Sequence, residues 1–478
     1  MRPSLNLLSN EIIDEIVTTA YQVLEEIGIE FENPKAVAIL QEKGVPFENE
    51  RALIPEDMVK TCIKQAPKQI HLYDRDGTLA VRLEGDEVCF DPGSAALNIL
   101  DPDGTIRKPV TSDLVKFSSL TNELGNIGAQ STGLISSDVP EGMDDWYRLL
   151  IALFYCKKPV ITGTFAVESF SIMKDLLVAI RGSEGSLRAK PLAIFDACPS
   201  PPLKWSNLTS QSVIDSARLG IPSEFISMPM MGATSPASLR GAIVQHAAET
   251  MAGIVLAQST TPSAPIIYGG SPSVFDMRQG TTPMGAIETM MIDCAYAEVG
   301  KFFGLPTHAY MGLSDSKLLD SQAGLETGIG AILAALKGIN MISGLGMLDF
   351  ESCQSLEKLL IDNEIAGMAL RLVRGIEPRE ENLLEVFSDL ISSESLLSHP
   401  HTLKWFRKEF FFPGPAINRA ASKESTDAKI RATKRVTQIL ESKKPELPPQ
   451  EMATDLYQIA VKKAKEFGVS ELPLKHEP

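Results

Sequence analysis

The feature of this 478-residue chain that most constrains its fold is a repeated alternation of short apolar strands with amphipathic helices. The alternation begins after Val110, and seven strand–helix units follow one another without a mid-chain break. Such a pattern predicts right-handed crossovers and a parallel sheet, and seven or eight consecutive units favour closure into a barrel. The predicted strands are Ile127–Leu134, Pro159–Phe165, Pro191–Phe195, Glu224–Met228, Pro265–Tyr268, Thr307–Met311 and Asn340–Gly344.

The residues before the repeat have a different character. Apolar residues recur at helical spacing from Ser9 onward, and Asn33–Pro34 provides a cap followed by a proline in the first helical turn. Further on, turn dipeptides such as Asp76–Gly77 separate short strand-like runs, which predicts β-hairpins. One of these runs, near Val88–Phe90 or Ala96–Leu100, is a candidate for the eighth strand.

We therefore predict an α/β fold of the eight-fold (β/α)8 TIM barrel type, with an open doubly wound sheet as the alternative. The predicted parts are an N-terminal helical cap at 1–75, a β-hairpin region at 76–109, the barrel at 110–375 and a C-terminal helical extension at 376–478.

Charge and composition exclude several classes of protein. The formal net charge of −16 repels phosphate backbones, so we expect no nucleic-acid partner. No apolar run reaches the roughly 18 residues that a membrane-spanning helix needs, and the first ten residues do not read as a targeting peptide. The six cysteines are scattered, which suits reduced thiols. We expect a cytoplasmic enzyme with no membrane partner.

Familiar catalytic motifs are absent from the sequence. There is no dinucleotide fingerprint, phosphate loop, zincin helix, CxxC pair or hydrolase elbow. Gly344–Leu345–Gly346 matches the dinucleotide fingerprint only in its first two glycines, because Asp349 stands where the third would be. His399–Pro400–His401 has no third ligand nearby, so we predict no metal site. His246 lies on an apolar helix face, which favours packing, and Cys198 has no neighbouring histidine to activate it.

In a barrel, the chemistry comes from loops at the C-terminal ends of the strands. These loops are rich in aromatic residues, whose faces attract cations such as quaternary ammonium groups, although strand-end aromatics also commonly close a core. His308, within a strand, is either a core imidazole or a ligand contact. The aromatic candidates are Phe165, Tyr268, Phe275, Tyr310 and Phe350, and the polar groups of the longest loops are Asp276, Arg278, Asp315, Asp320, Gln322 and Glu326.

Several stretches of the chain resemble the trimethylamine methyltransferase family. The most specific runs from Tyr310–Met311–Gly312–Leu313–Ser314–Asp315–Ser316–Lys317 to Asp320–Ser321–Gln322–Ala323–Gly324–Leu325–Glu326. The similarity spans nearly the whole chain. The other matching stretches are Leu24–Ile29, Ala334–Asn340, Gly344–Leu348, Leu356–Glu364 and His401–Arg407.

The resemblance implies an eight-fold barrel that moves a methyl group from an amine to the cobalt of a partner corrinoid protein, with no cofactor tightly bound to this chain. The archaeal founding members carry pyrrolysine near the position of Ser343–Gly346, where this sequence has only standard residues. The chain is thus similar to the branch without pyrrolysine, which acts on quaternary amines such as glycine betaine or proline betaine. A quaternary amine leaves as a neutral tertiary amine, so no general acid is needed.

Under this reading the five aromatic candidates form a cage for the cation. Arg278 or His308 is expected to hold a substrate carboxylate, and Asp276, Gln322 and Glu249 are expected to orient the pocket. No residue is assigned a covalent catalytic role, and the C-terminal helices suggest a homo-oligomer.

Two alternatives remain open from the residues alone. One is a lyase or hydrolase that uses the carboxylates of Asp276, Asp315 and Asp320, with or without a divalent metal. The other is a non-enzymatic binding protein for cationic osmolytes such as betaines.

Overall fold

The N-terminal part is a layer of helices laid against one side of the molecule. The computed structural model describes residues 2–379, 381–392, 395–421 and 426–475. Ser9 caps the first helix by accepting from Ile12 N, and Asn33 caps the second by accepting from Lys35 N, as predicted for Asn33. The elements are α1 (Asn10–Gln22), a π-helical turn (Val23–Ile27), β1 (Ile29–Phe31), α2 (Pro34–Glu42), β2 (Phe47–Glu48), β3 (Arg51–Ala52) and α3 (Glu56–Gln65).

An antiparallel hairpin follows, made of β4 (Ile70–Tyr73) and β5 (Leu79–Leu83). Its inward side chains pack against apolar residues from five different strands of the sheet described next and against Ala129, which directly precedes a sixth strand. The hairpin therefore seals one end of that sheet with an apolar plug. The buried cluster consists of Ile70, Leu72, Val81, Leu83, Cys89, Ala129, Ile161, Ile194, Ile267 and Met341.

Eight parallel strands form a ring at the centre of the molecule. They make two ladders, of five and three strands. Tyr268 N–H donates to Pro306 O (2.8 Å) at one edge, and Gly128 N–H donates to Phe90 O (2.9 Å) at the other, and these links close the ring. The barrel strands are β6 (Cys89–Pro92), β9 (Gln130–Ser131), β10 (Val160–Gly163), β11 (Ala193–Ala197), β13 (Ser223–Ser227), β15 (Ile266–Gly270), β17 (His308–Tyr310) and β18 (Met341–Leu345).

The predicted eight-fold barrel is thereby confirmed, and the first of the two candidate runs supplies its first strand. That strand lies at Cys89–Pro92, before the predicted start of the barrel at residue 110. The other short strands lie in loops: β7 (Asn98–Leu100), β8 (Ile106–Arg107), β12 (Lys204–Trp205), β14 (Met230–Met231), β16 (Ser273–Val274), β19 (Met347–Leu348) and β20 (Cys353–Gln354).

Helices surround the ring, as the predicted alternation of strands and helices requires. Gly338, in the left-handed conformation (φ 75°), ends the helix before β18, as a glycine after a helix is expected to do. The helices are α4 (Thr111–Glu123), α5 (Asp144–Tyr155), α6 (Ser169–Arg181), α7 (Glu184–Ala189), α8 (Asn207–Leu219), α9 (Leu239–Thr260), α10 (Ile287–Phe302), α11 (Ser321–Lys337) and α12 (Leu356–Val373).

In its described residues the C-terminal extension contributes four more α-helices: α13 (Leu383–Ser392), α14 (Pro400–Glu409), α15 (Ala428–Ser442) and α16 (Gln450–Ala464). The last two lie on the barrel, with α15 against α4 and α12, and α16 against α5 and α6. Residues 380, 393–394, 422–425 and 476–478 of the predicted extension lie outside the described residues. Among the described helices, none is both long and apolar enough to cross a membrane.

Candidate functional site

Polar side chains occupy the barrel interior directly above the apolar plug. Successive residues of a strand point to opposite faces, so the residue two positions after a plug residue also points inward. On β6, β11 and β18 these residues are Asp91, Asp196 and Ser343, which follow Cys89, Ile194 and Met341. Neighbouring strands add Glu224, which pairs with Asp196 in register, and His308. Asp91, Asp196, Glu224, His308 and Ser343 are called the interior cluster below.

A serine hydroxyl links three members of the interior cluster. Ser343 Oγ donates its only proton to Asp91 Oδ1 (2.7 Å). The same oxygen can then only accept the hydrogen bond that joins it to His308, so His308 Nε2 is the donor (3.0 Å). His308 Nδ1 is buried and has no hydrogen-bond partner among the described residues. Burial lowers the pKa of His308 to about 3, so the imidazole is neutral and Nδ1 is an acceptor. A side chain at Gly269 would lie 2.9 Å from this nitrogen, so glycine keeps the space beside it open.

The carboxyl groups of the interior cluster have raised pKa values. Burial raises the pKa of Asp196 to about 7, against smaller opposing effects of the neighbouring Glu224 and of the charge of Arg148, which both lower it. Burial also raises the pKa of Glu224 well above its usual value, and the neighbouring Asp196 and Asp91 add to this effect. Two adjacent carboxylates repel each other when both are ionised, which raises the free energy of the doubly charged state. The Asp196–Glu224 pair therefore retains a proton at neutral pH.

A buried arginine from α5 stands beside these carboxyls. Arg148 is 1% exposed; its Nε donates to Asp144 O (3.0 Å) and its Nη1 to Thr132 O (2.7 Å). Within the described residues Nη2 makes no hydrogen bond to a protein group. The guanidinium carbon lies 4.6 Å from the ring centroid of Phe165, a cation–π distance. Burial lowers its pKa to about 10, so it stays protonated.

A strained turn after β18 brings in a fourth carboxyl. Asp349, Phe350 and Glu351 all have positive φ angles, 50°, 55° and 66°, which costs about 1 kcal/mol or more for each non-glycine residue. The turn is held by Asp349 N, which donates to Ser316 O (2.9 Å), and by Lys317, whose Nζ lies 3.3 Å from Asp349 Oδ1. Burial, with a smaller effect from Asp315, raises the pKa of Glu351 to about 7.

Three of the predicted site residues lie at this site. His308 belongs to the interior cluster, and Tyr310, on the same strand, packs edge-on against it at 5.0 Å between ring centroids. Burial raises the pKa of Tyr310, and the charges of Asp196 and Glu351 raise it further, so its hydroxyl is near those carboxyls. Phe165 lies at the rim, partly exposed, under Arg148.

Two predicted residues point away from the barrel interior. Because Ile267 belongs to the apolar plug, its neighbour Tyr268 faces the outer helices, where its ring lies 5.4 Å from His246 and 6.2 Å from Phe303. Glu249, on α9, accepts from Leu203 N (2.9 Å) and Ser227 Oγ (2.7 Å). It ties a loop to the end of β13 rather than facing a substrate.

The remaining predicted residues lie in the outer loops. Arg278 is paired with Asp276 at 2.9 Å and its side chain is 86% exposed, so this cation is satisfied locally rather than by the interior cluster. Phe275 is half-buried in the same loop, and its N–H donates to Met231 O (3.1 Å). Asp276, Gln322 and Phe350 line a separate cleft of about 490 Å³.

The carboxylates on which the lyase alternative depends serve the protein backbone. Asp315 accepts from Met284 N (2.9 Å) and Gly285 N (2.7 Å), and Asp320 caps α11 by accepting from Gln322 N (3.0 Å). In the part of the chain that the structure describes, no group of three or more His, Cys, Asp or Glu side chains is arranged to hold a metal ion.

Six residues of the site escaped the sequence analysis: Asp91, Arg148, Asp196, Glu224, Ser343 and Glu351. For three of them a signal exists, because a charged residue stands inside an otherwise apolar strand, as in Ala193–Ala197. A buried charge in such a run is costly unless it is paired or bound to a ligand, so its presence points to a functional site. Nothing in the sequence distinguishes Arg148 or Glu351 from ordinary helix and loop residues.

Comparison with known proteins decides the family. A sequence model described as trimethylamine methyltransferase (MTTB) matches residues 1–468. The chain belongs to the trimethylamine methyltransferase family. As a member of this family it is a methyltransferase, and the family predicted from its sequence is confirmed.

Named members of the family align along most of the chain. The glycine betaine methyltransferase of Desulfitobacterium hafniense (strain Y51) is 29% identical over 472 residues, 98% of each protein. Trimethylamine methyltransferase MttB of D. hafniense (strain DSM 10664 / DCB-2) is 30% identical over 97% of this chain and 95% of its own. Trimethylamine methyltransferase MttB of Methanosarcina thermophila is 34% identical over 79% of this chain and 80% of its own.

A solved structure has the same fold. The crystal structure of the Methanosarcina barkeri monomethylamine methyltransferase (MtmB) superposes with a TM-score of 0.51 and 12% sequence identity. The alignment covers 98% of this chain and 89% of that one. At this level of identity the likeness concerns the fold, and it agrees with the eight-stranded barrel.

Proposed function

We propose that this methyltransferase moves a methyl group from a quaternary amine carrying a carboxylate, such as glycine betaine or proline betaine, to the cobalt(I) of a partner corrinoid protein. The observation that carries the proposal is the acidic barrel interior. Asp91, Asp196, Glu224 and Glu351 each have a buried oxygen without a hydrogen-bond partner among the described residues.

Unpaired buried carboxyls are costly for a protein unless a ligand compensates them. A cationic ligand compensates this cost, because its charge attracts the ionised form of each carboxyl. A quaternary ammonium group does this without donating a hydrogen bond. Asp196 and Glu351 are partly exposed, whereas Asp91 and Glu224 are buried. The acidic pocket thus opens toward the barrel mouth, with the ring of Tyr310 beside it as an additional surface for a cation.

Arg148 gives the proposed substrate its second anchor. Its Nη2 has no partner in the described part of the chain, and the rest of the guanidinium is fixed by Asp144 O and Thr132 O. A rigid, protonated guanidinium with a free edge suits a carboxylate. An ammonium against the carboxyls and a carboxylate against Arg148 match the two ends of a betaine, and Arg148 replaces Arg278 as the expected carboxylate ligand.

The proposed reaction asks little covalent chemistry of the protein. One N–CH3 bond breaks and its electron pair stays on nitrogen, which leaves a neutral tertiary amine. The cobalt(I) acceptor supplies the pair for the new bond to carbon and is oxidised by two electrons. No proton moves, so the work of this chain is to hold the amine, remove water from it and direct one methyl group to the mouth.

The rim of the barrel offers a surface for the acceptor protein. Loops that follow five different strands each carry a large exposed apolar side chain, which is typical of interaction sites. A corrinoid carrier that docks there would bring its cofactor over the opening. The rim residues are Leu97, Phe165, Met228, Met277 and Leu318.

A visible-absorption assay tests the proposal. The full chain is mixed with free cob(I)alamin or with reduced corrinoid proteins, and separately with glycine betaine, proline betaine, carnitine, choline and trimethylamine. We expect loss of the cobalt(I) absorption and formation of methylcobalt(III) with a betaine. Turnover of trimethylamine alone would overturn the quaternary-amine assignment. Tight betaine binding without any methyl transfer to any acceptor would support the binding-protein alternative instead.

A further inference from the structure

A further buried carboxyl lies on the outer helix α10. Asp293 is fully buried, and neither of its carboxyl oxygens has a hydrogen-bond partner in the described part of the chain. Burial raises its pKa well above the usual value, the nearby Tyr296 hydroxyl opposes this effect, and the charge of Glu351 adds to it. An unpaired buried carboxyl is costly unless a ligand compensates it. Asp293 is therefore a candidate for a ligand contact.

The tyrosine one turn further along α10 fixes the position of this carboxyl relative to the barrel. The Tyr296 hydroxyl donates its proton to Gly270 O (3.0 Å) and to His308 O (2.8 Å). These two oxygens belong to β15 and β17, so the hydroxyl lies between these neighbouring strands. Because its single proton is shared by two carbonyls, Tyr296 has none left to donate to Asp293.

Asp293 lies at the level of the barrel mouth. Residues 289, 293 and 296 are spaced by four and three positions and therefore share one face of α10. Thr289 Oγ1 accepts from Val274 N (3.2 Å) in the loop after β15, whereas Tyr296 contacts the last residue of that strand. Asp293, between these two contacts, faces the ring where β15 ends and the loops of the mouth begin. Glu351, whose charge acts on Asp293, belongs to the turn after β18 at the same mouth.

Asp293 and Arg148 approach the mouth from opposite sides. Arg148 belongs to α5, which joins β9 to β10, and Asp293 belongs to α10, which joins β15 to β17. The strands follow one another around the closed ring in the order β6, β9, β10, β11, β13, β15, β17 and β18. Four strands therefore separate the two positions in either direction around the ring. The carboxyl and the guanidinium face each other across the mouth.

We propose that Asp293, together with Glu351, binds the ammonium group of the substrate, while Arg148 binds its carboxylate from the opposite side. This inference rests on the proposed betaine methyl transfer and adds to it the orientation of the substrate, which lies across the mouth. The ammonium group is then at the level of the strand ends, where its methyl groups can face an acceptor outside the barrel. A cation bound deeper, beside Asp91 and Ser343, would be farther from that acceptor.

A purely structural role for Asp293 makes a different prediction. A protonated carboxyl can donate a hydrogen bond to the Tyr296 oxygen, and an asparagine amide can donate in its place. Asp293→Asn would then leave ligand binding unchanged. If Asp293 instead ionises beside a cation, the amide loses the attraction between the two charges, whereas a ligand without a positive charge loses nothing. Two ligands that differ only in this charge therefore separate the two roles.

The first test compares glycine betaine with the anion of tert-butylacetic acid, in which a carbon atom replaces the ammonium nitrogen. Calorimetry on the full chain gives both dissociation constants. For Asp293→Asn we expect the preference for the cation, the ratio of these constants, to fall by about 10-fold or more. The matched control is Glu298→Gln on the same helix, because Glu298 accepts from Leu7 N (2.6 Å) and Leu8 N (3.1 Å) outside the barrel. An unchanged ratio in Asp293→Asn, or an equal loss in the control, would overturn the proposal.

The second test examines the opposite end of the substrate with the same two ligands. Both of them carry the carboxylate, so Arg148→Gln should raise both dissociation constants by about 10-fold or more. The preference for the cation should stay the same or rise, because no carboxyl is removed. If Arg148→Gln lowered this preference as much as Asp293→Asn, the two residues would not hold different ends of the ligand, and the proposed orientation would be wrong.

Methyl transfer separates a failure of this inference from a failure of the proposed function. With cob(I)alamin and glycine betaine, we expect Asp293→Asn to lower kcat/KM by about 30-fold. If the wild-type chain is active and the variant has the same kcat/KM, only the role of Asp293 is lost. If the wild-type chain neither binds nor demethylates any betaine, the proposed function fails and the orientation fails with it.

Discussion

The barrel interior contains two layers that stand on the same strands and have opposite chemistry. Near the hairpin, Cys89, Ile194 and Met341 belong to a sealed apolar plug. Two residues further along each strand, about 7 Å away, Asp91, Asp196 and Ser343 belong to an acidic layer of the interior. The first layer lowers the free energy of the fold by removing apolar surface from water, whereas the second costs stability through unpaired buried carboxyls. Stability and chemistry are therefore assigned to different heights along the barrel axis.

The largest effect is expected when the apolar plug is broken. Ile194→Ala should lower the free energy of unfolding by about 2–5 kcal/mol, because it opens a cavity where no water is available to fill it, and Ile194→Val by about 0.5–1.5 kcal/mol. Denaturant unfolding measures both. Under folding conditions kcat/KM should change by less than about 3-fold. A plug variant that remains fully stable but inactive would contradict the division into layers.

Glu224→Gln tests the pocket layer in the same way. The amide has nearly the same shape but cannot ionise toward a cation, so we expect kcat/KM for a betaine to fall by about 100-fold. The free energy of unfolding without substrate should stay the same or rise, because a buried carboxyl is removed. Unfolding and kinetic measurements on one preparation check both parts. A large loss of stability with normal activity would reverse the roles of the two layers.

Arg148→Gln sharpens the assignment of the two ends of the substrate. We expect the preference for glycine betaine over choline, expressed as a ratio of kcat/KM values, to fall by about 30-fold, since only the betaine has a carboxylate. The ratio cancels any general damage to folding. Arg148→Lys keeps the positive charge but not the planar, two-pronged donor geometry of the guanidinium. Its ratio of kcat/KM values should lie between those of the wild type and of Arg148→Gln. An unchanged ratio would remove the carboxylate anchor while leaving methyl transfer itself intact.

The acidic pocket should also couple stability and binding to pH. The pKa of Asp196 is about 7 in the folded protein, against about 4 in an unfolded chain. Between these values the folded state binds more protons than the unfolded state, so the free energy of unfolding falls as pH rises from about 4 to 7. A cationic substrate displaces the proton, and its affinity should rise up to about 10-fold per pH unit below 7 and then level off. Titrations with and without glycine betaine measure this, and Asp196→Asn should flatten the profile.

Much of the fold could be predicted because local signals repeat along the chain. The alternation of strands and helices identified the barrel, and Asn33–Pro34 marked the start of a helix where the structure has it. The position of the eighth strand remained ambiguous, because Cys89–Pro92 is a short run among several hairpin strands of similar composition.

The candidate site was predicted less well, because it depends on which face of each strand is turned inward. Tyr268 and Tyr310 both stand at strand ends, so their sequence positions predict a place at the barrel mouth for each. Which of the two side chains points inward follows only from the register of the strands in the closed ring. Arg148 reaches the pocket from a helix, and Glu351 through a left-handed turn of three consecutive residues. Neither arrangement has a local sequence signal.

The smallest effect is expected from removing single hydroxyl groups from these two tyrosines. Tyr268→Phe should change kcat/KM by less than about 2-fold, because the Tyr268 hydroxyl is buried outside the barrel and has no hydrogen-bond partner among the described residues. Tyr310→Phe should lower kcat/KM by about 3-fold, because its hydroxyl lies among the carboxyls of the pocket while the ring that faces the cation is kept. Steady-state kinetics on the two variants, with thermal unfolding as a check on folding, provides the measurement. If Tyr268→Phe were the more damaging change, the substrate would bind on the outer face of β15 and not inside the barrel. The interior would then not be divided into a stabilising layer and a substrate-binding layer.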